Sequence, residues 1–444
     1  MLSVEQTEML TRVGPGTPMG ELLRRFWTPI LLEEELPAPD CAPVRVRLFG
    51  EDLVAFRDTD GRLGLVEEHC PHRQASLFFG RNEEGGLRCI YHGWKYDVHG
   101  QCVDMPTESP ESNFTHKVRL TAYGARDGGG LIWAYLGPKE HEPELPQFRF
   151  LHAPPEYRLH TKYLRECNFA QAIDGGIDSV HTNFLHAGLD RYRRNDAFFE
   201  RSKRESTDLD LLYRTIDSAP KFMTKRMDYG LLVGSRRDLA AEGKYYWRFN
   251  HFLMPFYSMT PRGGGGHAFV PIDDYTCWSF NLSDRVDRPF TEEEREVANA
   301  GVAKDNDLAG GIHMNERIPG TYRAARNLEN NFLMDREMQK TLNFTGIVGT
   351  GTQDSMAQIS MGPIENRTKE HLGVTDIAII QARRMMLQEA IDLREGVEPP
   401  EASAAEAYSI VGVQFVEDRE VTFEECIERQ QHLLYASLPP APKA

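Results

Sequence analysis

The sequence predicts an α+β chain in two parts, a small all-β N-terminal domain and a larger domain with an antiparallel sheet flanked by helices. Three observations lead there. Residues from about 43 to 140 are short alternating apolar and polar runs separated by turn-forming clusters, as half-buried strands require. Beyond residue 141, longer alternating runs such as Lys244–Leu253 are interspersed with segments of helical period. A proline-rich stretch from Pro143 to Pro155 divides the two parts. At 444 residues the chain has volume for both cores.

The elements follow in order. Residues 1–30 read as a short amphipathic helix and a linker, Val13-Gly-Pro-Gly-Thr-Pro-Met-Gly20. The β domain, 31–140, opens with strands at Val44–Leu48 and Asp52–Phe56 and a turn at Asp58–Gly64. Further short strands are predicted at Gly86–Tyr91, Trp94–Val98 and Gly130–Leu136. The third part, 141–444, carries helical text over Asn168–His186, Thr291–Val302, Asp376–Arg394 and Phe423–Tyr435, with strands at Lys244–Leu253 and within His267–Leu282. The glycine runs at 128–130 and 263–266 lack the Lys-Ser/Thr of a phosphate loop and read as hairpin turns.

Composition narrows the functional classes. A net charge of −16 argues against nucleic acid or an anionic membrane surface as partner. No run of about 18 apolar residues is present, as a membrane-spanning helix would need. The polar, acidic N-terminus is unlike a signal peptide, so a cytoplasmic location is expected. Seven cysteines, an odd and sparse count, do not make a disulfide framework.

Two cysteines stand out because of the histidines beside them. Cys70-Pro-His72 and Cys89-Ile-Tyr-His92 form Cys-x-His, sixteen intervening residues, then Cys-x-x-His. Two thiolates and two imidazoles suit either tetrahedral zinc or a Rieske 2Fe–2S cluster, in which two cysteines hold one iron and two histidines the other. Each loop here delivers one ligand of each kind. Arg73 after His72 and Gly93-Trp94 after His92 add a tight turn and an aromatic lid, which favours the Rieske cluster. A zinc-stabilised binding protein is the weaker alternative.

On these motifs the chain resembles the Rieske non-haem iron ring-hydroxylating oxygenases. The stretch from Phe26 to Pro110, with Cys-Pro-His-Arg and Cys-Ile-Tyr-His-Gly-Trp, is similar to the phthalate dioxygenase group. Neither loop has the extra cysteine that staples respiratory-chain Rieske loops together. The resemblance runs into Met361-Gly-Pro-Ile364 and implies an α-subunit whose catalytic domain has a helix-grip type fold.

Oxygen chemistry needs a second metal with open positions, which a two-histidine, one-carboxylate triad gives Fe(II). Asp178-Ser-Val-His181-Thr-Asn-Phe-Leu-His186 fits the family's Asp-x-x-His-x-x-x-x-His motif, making His181 and His186 iron ligands. Asp174, Asp178 and His181 share a helical face, while His186 lies about 140° round an ideal helix, so the helix must bend or end near it, as Gly175-Gly176 allows. By resemblance the third ligand is Asp354 in Gln353-Asp354-Ser-Met, at the start of a helix, although Ser360 stands where the family has a glutamate. Its structural alternative is an N-capping aspartate.

The resemblance also gives Asp178 a role, bridging His92 of one subunit to His181 of its neighbour. That implies a head-to-tail homotrimer or a stacked hexamer. It further implies O2 as co-substrate, an NADH-dependent flavin or iron–sulfur reductase as partner, and aromatic hydrocarbon catabolism. Phthalate-type enzymes take aromatic carboxylates, which invite an arginine fork. Arg248, among Tyr246, Asn250 and Phe252 on one face of a strand, is the candidate, ahead of Arg236, Arg237 and Arg214. The expected reaction is cis-dihydroxylation of a phthalate-like acid. The alternatives are a Rieske monooxygenase or O-demethylase of an aromatic acid, and a Rieske electron carrier fused to a binding domain.

Overall fold

The N-terminal segment is more structured than a linker. Ser3 caps α1 (Val4–Thr11) in a capping box with Gln6, and Thr17 caps α2 (Pro18–Leu23), which begins on a proline. Helix α2 therefore starts inside the stretch expected to be linker. Pro18 marks that start, since its missing N–H costs nothing at a first helical position. The structure, a computed structural model, describes residues 1–189, 213, 216–261, 265–300 and 316–435.

Alternation then produces two antiparallel sheets. Strands β1 (Thr28–Leu32), β2 (Val44–Leu48), β3 (Glu51–Arg57) and β4 (Leu63–Glu67) are followed by β5 (Arg81–Glu83), β6 (Gly86–Arg88), β7 (Lys95–Tyr96) and β8 (Cys102–Asp104). After these come β9 (Ala122–Gly128) and β10 (Leu131–Tyr135). One sheet has the order β1-β10-β9-β4-β3-β2 and the other β5-β6-β7-β8. Gly129 and Gly130, at positive φ, turn the β9–β10 hairpin. Strands β6 and β7 stop short of their expected ends, so Cys89 to Trp94 is free to form a loop.

The third sheet contains β11 (Arg158–Arg165), β12 (Lys221–Met227), β13 (Gly230–Leu239), β14 (Lys244–Leu253), β15 (Tyr257–Met259), β16 (Gly266–Pro271), β17 (Cys277–Asp284) and β18 (Val413–Asp418). Its order is β11-β17-β16-β15-β14-β13-β12, with β18 also paired to β14. Gly263 and Gly264 lie outside the described residues. Direct partners in an antiparallel ladder share a face, so Arg237, Ser235, Tyr246, Arg248, Phe252, Ser258 and His267 face one way. Trp247 and Phe249 face the other way, against Phe415 and Phe423.

The helices cover both faces. They are α3 (Phe169–Ile177), α4 (Glu292–Ala300), α5 (Arg336–Thr341), α6 (Thr350–Ser360), α7 (Ile377–Arg394) and α8 (Phe423–Leu434). Helix α8 supplies Phe423 to the Trp247 face, and α3 lies on the other. Among the described residues no helix is long and apolar enough to cross a membrane.

One apolar core runs without a break from Leu48 and Trp133 of the first sheet, and Phe49 in its β2–β3 turn, to Trp247, Phe249 and Phe252 of the third. A separate core, with Cys70, Cys89, Trp94 and Tyr96, underlies the small sheet. Polar ties reinforce the seam. Buried Lys162 pairs with Glu35 at 2.6 Å and lies over the rings of Tyr322 and Trp278 at 4.5 and 4.9 Å. Asn168 donates to the carbonyls of Thr11 and Asp274, which binds α1 to the cap of α3.

Two buried histidines make the fold sensitive to acid. His251 takes a hydrogen bond from the Tyr229 hydroxyl and donates to the Val411 carbonyl, and burial pushes its pKa down to about 3. Burial likewise brings His160 down to about 4, although its donation to the Gly129 carbonyl works the other way. Both folded values lie below the unfolded value of about 6.5. Their contribution is therefore complete above that pH and is lost as pH falls toward 4, by about 1.4 kcal/mol per pH unit per histidine. Denaturant unfolding at a series of pH values should show that slope, and His251→Gln should remove one histidine's share of it.

Candidate active site

The two Cys–His loops are built alike. In each, the residue four after the cysteine donates its amide back to the cysteine carbonyl: Gln74 to Cys70 at 2.8 Å and Gly93 to Cys89 at 2.9 Å. Both of those residues have positive φ, 61° at Gln74 and 77° at Gly93. At Gly93 a side chain would also strike the Pro106 ring at 2.8 Å, so glycine is required there. The turns bring the His72 and His92 rings to 4.4 Å between centroids, with Cys70 and Cys89 buried beneath them. Trp94 stacks on His72 at 4.3 Å and 7° between planes, so the aromatic lid covers one histidine. Ile90 and Tyr91 stay exposed at the tip.

Sequence reasoning missed Tyr96 here. Its hydroxyl lies 3.2 Å from Cys70 Sγ, and with the sulfur as thiolate the phenol must donate. The signal was available, since a tyrosine in a short buried strand beside a thiolate needs a partner for its hydroxyl.

The second site differs locally from its expected form. Helix α3 ends at Ile177, so Asp178 and His181 do not share a helical face with Asp174. Asp178 is extended (φ −71°, ψ 129°) and His181 opens a short 3₁₀ turn, His181–Asn183. Close packing explains the stop. A side chain at Gly176 would meet Phe269 at 2.7 Å and Ser258 Oγ at 2.8 Å, and one at Gly175 would run into Gln358 of α6. The glycines let the end of the helix press against the sheet and α6.

Freed from the helix, Asp178 caps the turn. It accepts from the amides of Val180 (2.7 Å) and His181 (3.2 Å) and from His181 Nδ1 (3.3 Å). His186 Nδ1 is held by the side-chain carbonyl of Gln353 at 2.7 Å. Gln353 in turn donates to Thr345 Oγ1 and the Ile347 carbonyl. With each Nδ1 committed as donor, both histidines present an Nε2 lone pair. Both lone pairs converge on Asp354 Oδ1, 3.6 Å from His181 and 3.2 Å from His186. Asp354 is the fifth residue of α6 and Gly349 the cap, so the N-capping alternative does not apply. Burial opposes the Asp354 charge, and the positive charge of nearby Arg165 favours it.

The three side chains offer one ligand atom each, all within 4.8 Å of one another. Two imidazole nitrogens and a carboxylate oxygen suit a divalent first-row metal with positions to spare. The Cys70, His72, Cys89 and His92 set equally suits a Rieske cluster. Both groups fit the residues present. Among the described residues, no hydrogen bond or ring contact within the chain joins His92 to Asp178.

Arg248 is buried on the sheet face that α3 covers, opposite Ser235 and Gln414, but it does not line the cavity beside the triad. That cavity, about 220 Å³, is walled by Asp178, His181, Asp354, Glu365, Glu370 and Arg383 among others. Ser235 links Arg248's neighbourhood to the triad loop, its hydroxyl reaching Ser179 Oγ at 3.5 Å. Arg237 donates to the Ser179 carbonyl, and Arg236 lies over Tyr245 on the opposite face. Arg214 falls outside the described residues. The cavity acids went unread because Asp174 and Arg383, joined at 2.6 Å, are far apart in sequence.

Comparison with known proteins bears on both sites. The Rieske [2Fe-2S] domain family matches residues 26–123, and the family described as LigXa C-terminal domain like matches residues 134–408. The chain is 40% identical over 402 residues to the phthalate 4,5-dioxygenase oxygenase subunit of Pseudomonas putida, covering 87% of this chain and 86% of that one. It is 32% identical over 407 residues to the 5,5′-dehydrodivanillate O-demethylase oxygenase subunit of a Sphingobium strain, covering 90% and 83%. The fold is shared with a solved structure of NdmA from Pseudomonas putida CBB5, in its QL mutant with theobromine. The TM-score is 0.58 at 19% identity, covering 91% of this chain and 99% of that one.

Two substitutions separate ligation from tuning at the first site. Cys70→Ser should abolish the visible absorption of a 2Fe–2S cluster, because a hydroxyl does not replace the thiolate. Tyr96→Phe should keep the colour but lower the reduction midpoint by tens of millivolts, since one hydrogen bond to a ligand sulfur, about 1 kcal/mol, is lost. Spectroelectrochemistry reads both.

Proposed function

The chain belongs to the Rieske non-haem iron ring-hydroxylating oxygenases, oxidoreductases with a Rieske 2Fe–2S cluster and a mononuclear iron that use O2, and from that premise we propose that it cis-dihydroxylates a phthalate-like aromatic acid. The observation that carries the reading is the convergence of His181, His186 and Asp354 on one point beside a cavity. In this reading those three residues hold the iron and Cys70, His72, Cys89 and His92 hold the cluster. When bound, the iron supplies open positions for O2 and the cluster supplies single electrons.

The protein's own groups set the geometry. Asp178 and Gln353 fix the two imidazoles through their Nδ1 protons, so that neither ring can turn its Nε2 away. Asp178 also accepts from His92 of the neighbouring subunit in a head-to-tail trimer, which shortens the electron path to one carboxylate. Arg248, buried on the face toward α3, receives a substrate carboxylate through its fork. An NADH-dependent flavin or iron–sulfur reductase supplies the electrons, and the protein works in the cytoplasm. The similarity to a phthalate dioxygenase subunit supports this substrate class. The similarity to an O-demethylase subunit favours one second reading, demethylation of a methoxylated aromatic acid.

Product analysis of the reconstituted enzyme against phthalates, benzoates and methoxybenzoates tests the proposal. A cis-diol from a dicarboxylate upholds it, and a phenol with formaldehyde installs the second reading in its place. Asp178→Asn should keep the cluster colour and most of the iron while turnover falls by roughly 10²–10⁴-fold, since the orienting carboxylate is gone. A near wild-type rate would remove the bridge. Arg248→Lys should weaken binding of a carboxylated substrate by about 1–3 kcal/mol, measured as perturbation of the iron site by added substrate.

A further inference from the structure

The cavity beside the triad has a second set of walls that the metal sites leave unexplained. Arg383 forks Glu370 with two 2.7 Å hydrogen bonds and also holds Asp174 at 2.6 and 3.1 Å. Arg367, fully buried, reaches Asp174 at 3.3 Å and Glu365 at 3.7 Å. Three carboxyl groups thus face two guanidinium groups, and Glu365 and Glu370 meet at the same Arg383 Nη2, at 3.9 and 2.7 Å. A carboxyl in excess of the guanidinium charges and crowded against another is disposed to hold a proton. Burial, joined by Glu370 and Asp174 against the pull of Arg367, brings Glu365 up to about 7. The other charged groups on the cavity wall are Asp178, His181 and Asp354.

The cavity beside the cluster has room for water. Arg367 also keeps Nε and Nη1 buried without a hydrogen-bond partner among the described residues. About 220 Å³ gives room for several waters in a cavity lined by Glu365 and Glu370 as well as by His181 and Asp354.

The oxygenase reaction needs what such a pair provides. Dihydroxylation breaks the O–O bond and one ring π bond and forms two C–O bonds, with two electrons from the reductase and two protons from solvent. O-demethylation takes up the same two electrons and two protons and releases one water. We propose that the Glu365–Glu370 pair is the proton store of this oxygenase, giving up a proton into the cavity water during turnover and refilling from solvent. The inference rests on the reading of His181, His186 and Asp354 as the iron site but not on which acid is oxidised.

Glu365→Gln tests it in the complete enzyme with its reductase. Glutamine keeps the size and polarity of the side chain but holds no transferable proton. Glu365 is also only a distant partner of Arg383, at 3.9 Å, so the ties between α3 and α7 survive. Cluster absorption, iron content and the rate of cluster reduction should be unchanged. Aromatic acid-dependent O2 consumption should fall about tenfold or more, its solvent deuterium isotope effect should rise, and the alkaline decline of turnover near pH 7 should vanish. Glu365→Asp should recover part of the rate with a shifted alkaline limb. Glu365→Gln within about twofold of wild type with that limb intact overturns the proposal. If Glu365→Gln does not assemble, an unmoved limb in Glu365→Asp, or none in the wild type, overturns it equally. His181→Ala separates the two readings: full iron in that variant sinks the iron site and the store together. Iron loss there with an unaffected Glu365→Gln sinks the store alone.

Discussion

Two imidazole nitrogens can meet one carboxylate here only because helix α3 stops at Ile177. A continued helix would keep Asp178 on the face of Asp174, and His186 would point well away from His181. The stop instead turns Asp178 into the cap of a tight turn, and the histidines swing onto Asp354 from two directions, their rings 82° apart. What enforces the stop is contact. Gly175 and Gly176 have no side chain because Gln358, Phe269 and Ser258 occupy that space. The third sheet and α6 thus shape the site by steric exclusion before any ligand atom is considered.

Around that point the protein commits hydrogen bonds rather than bulk. Asp178 and Gln353 fix opposite histidines by the same means, an acceptor for Nδ1, yet one is charged and the other neutral. Asp178 remains ionised because the amides of Val180 and His181 and the His181 ring offset its burial. Gln353 is itself held by Thr345 and Ile347, so its orientation does not depend on the histidine it serves.

The sequence made the chemistry more legible than the geometry. The Cys70-Pro-His72 and Cys89-Ile-Tyr-His92 motifs could be read because their residues are close in sequence, and α7, α8 and β14 because each runs uninterrupted over a long stretch. The end of α3 was misread because helical spacing favours continuation and nothing in Asp174–His186 announces the sheet and α6 packed against its glycines. Helix α2 was misread for a related reason, its glycines and prolines resembling a linker until Thr17 and Pro18 are seen as a cap and a first turn. The placement of Arg248 shows a further boundary: alternation assigned its strand face, but which cavity that face adjoins depends on elements far away in the chain. The joining of Asp174, Glu365, Glu370, Arg367 and Arg383 was beyond reach for the same reason.

The unbroken core between the first and third sheets has a consequence for how this architecture changes over evolutionary time. A seam containing Phe49, Trp133 and Lys162 with its aromatic neighbours behaves like the inside of one domain and not like a contact between two. Cutting the electron-carrying part away would leave that apolar surface in water, and grafting it onto another catalytic part would require a matching surface there. A matching seam is therefore a condition for any exchange of the two parts.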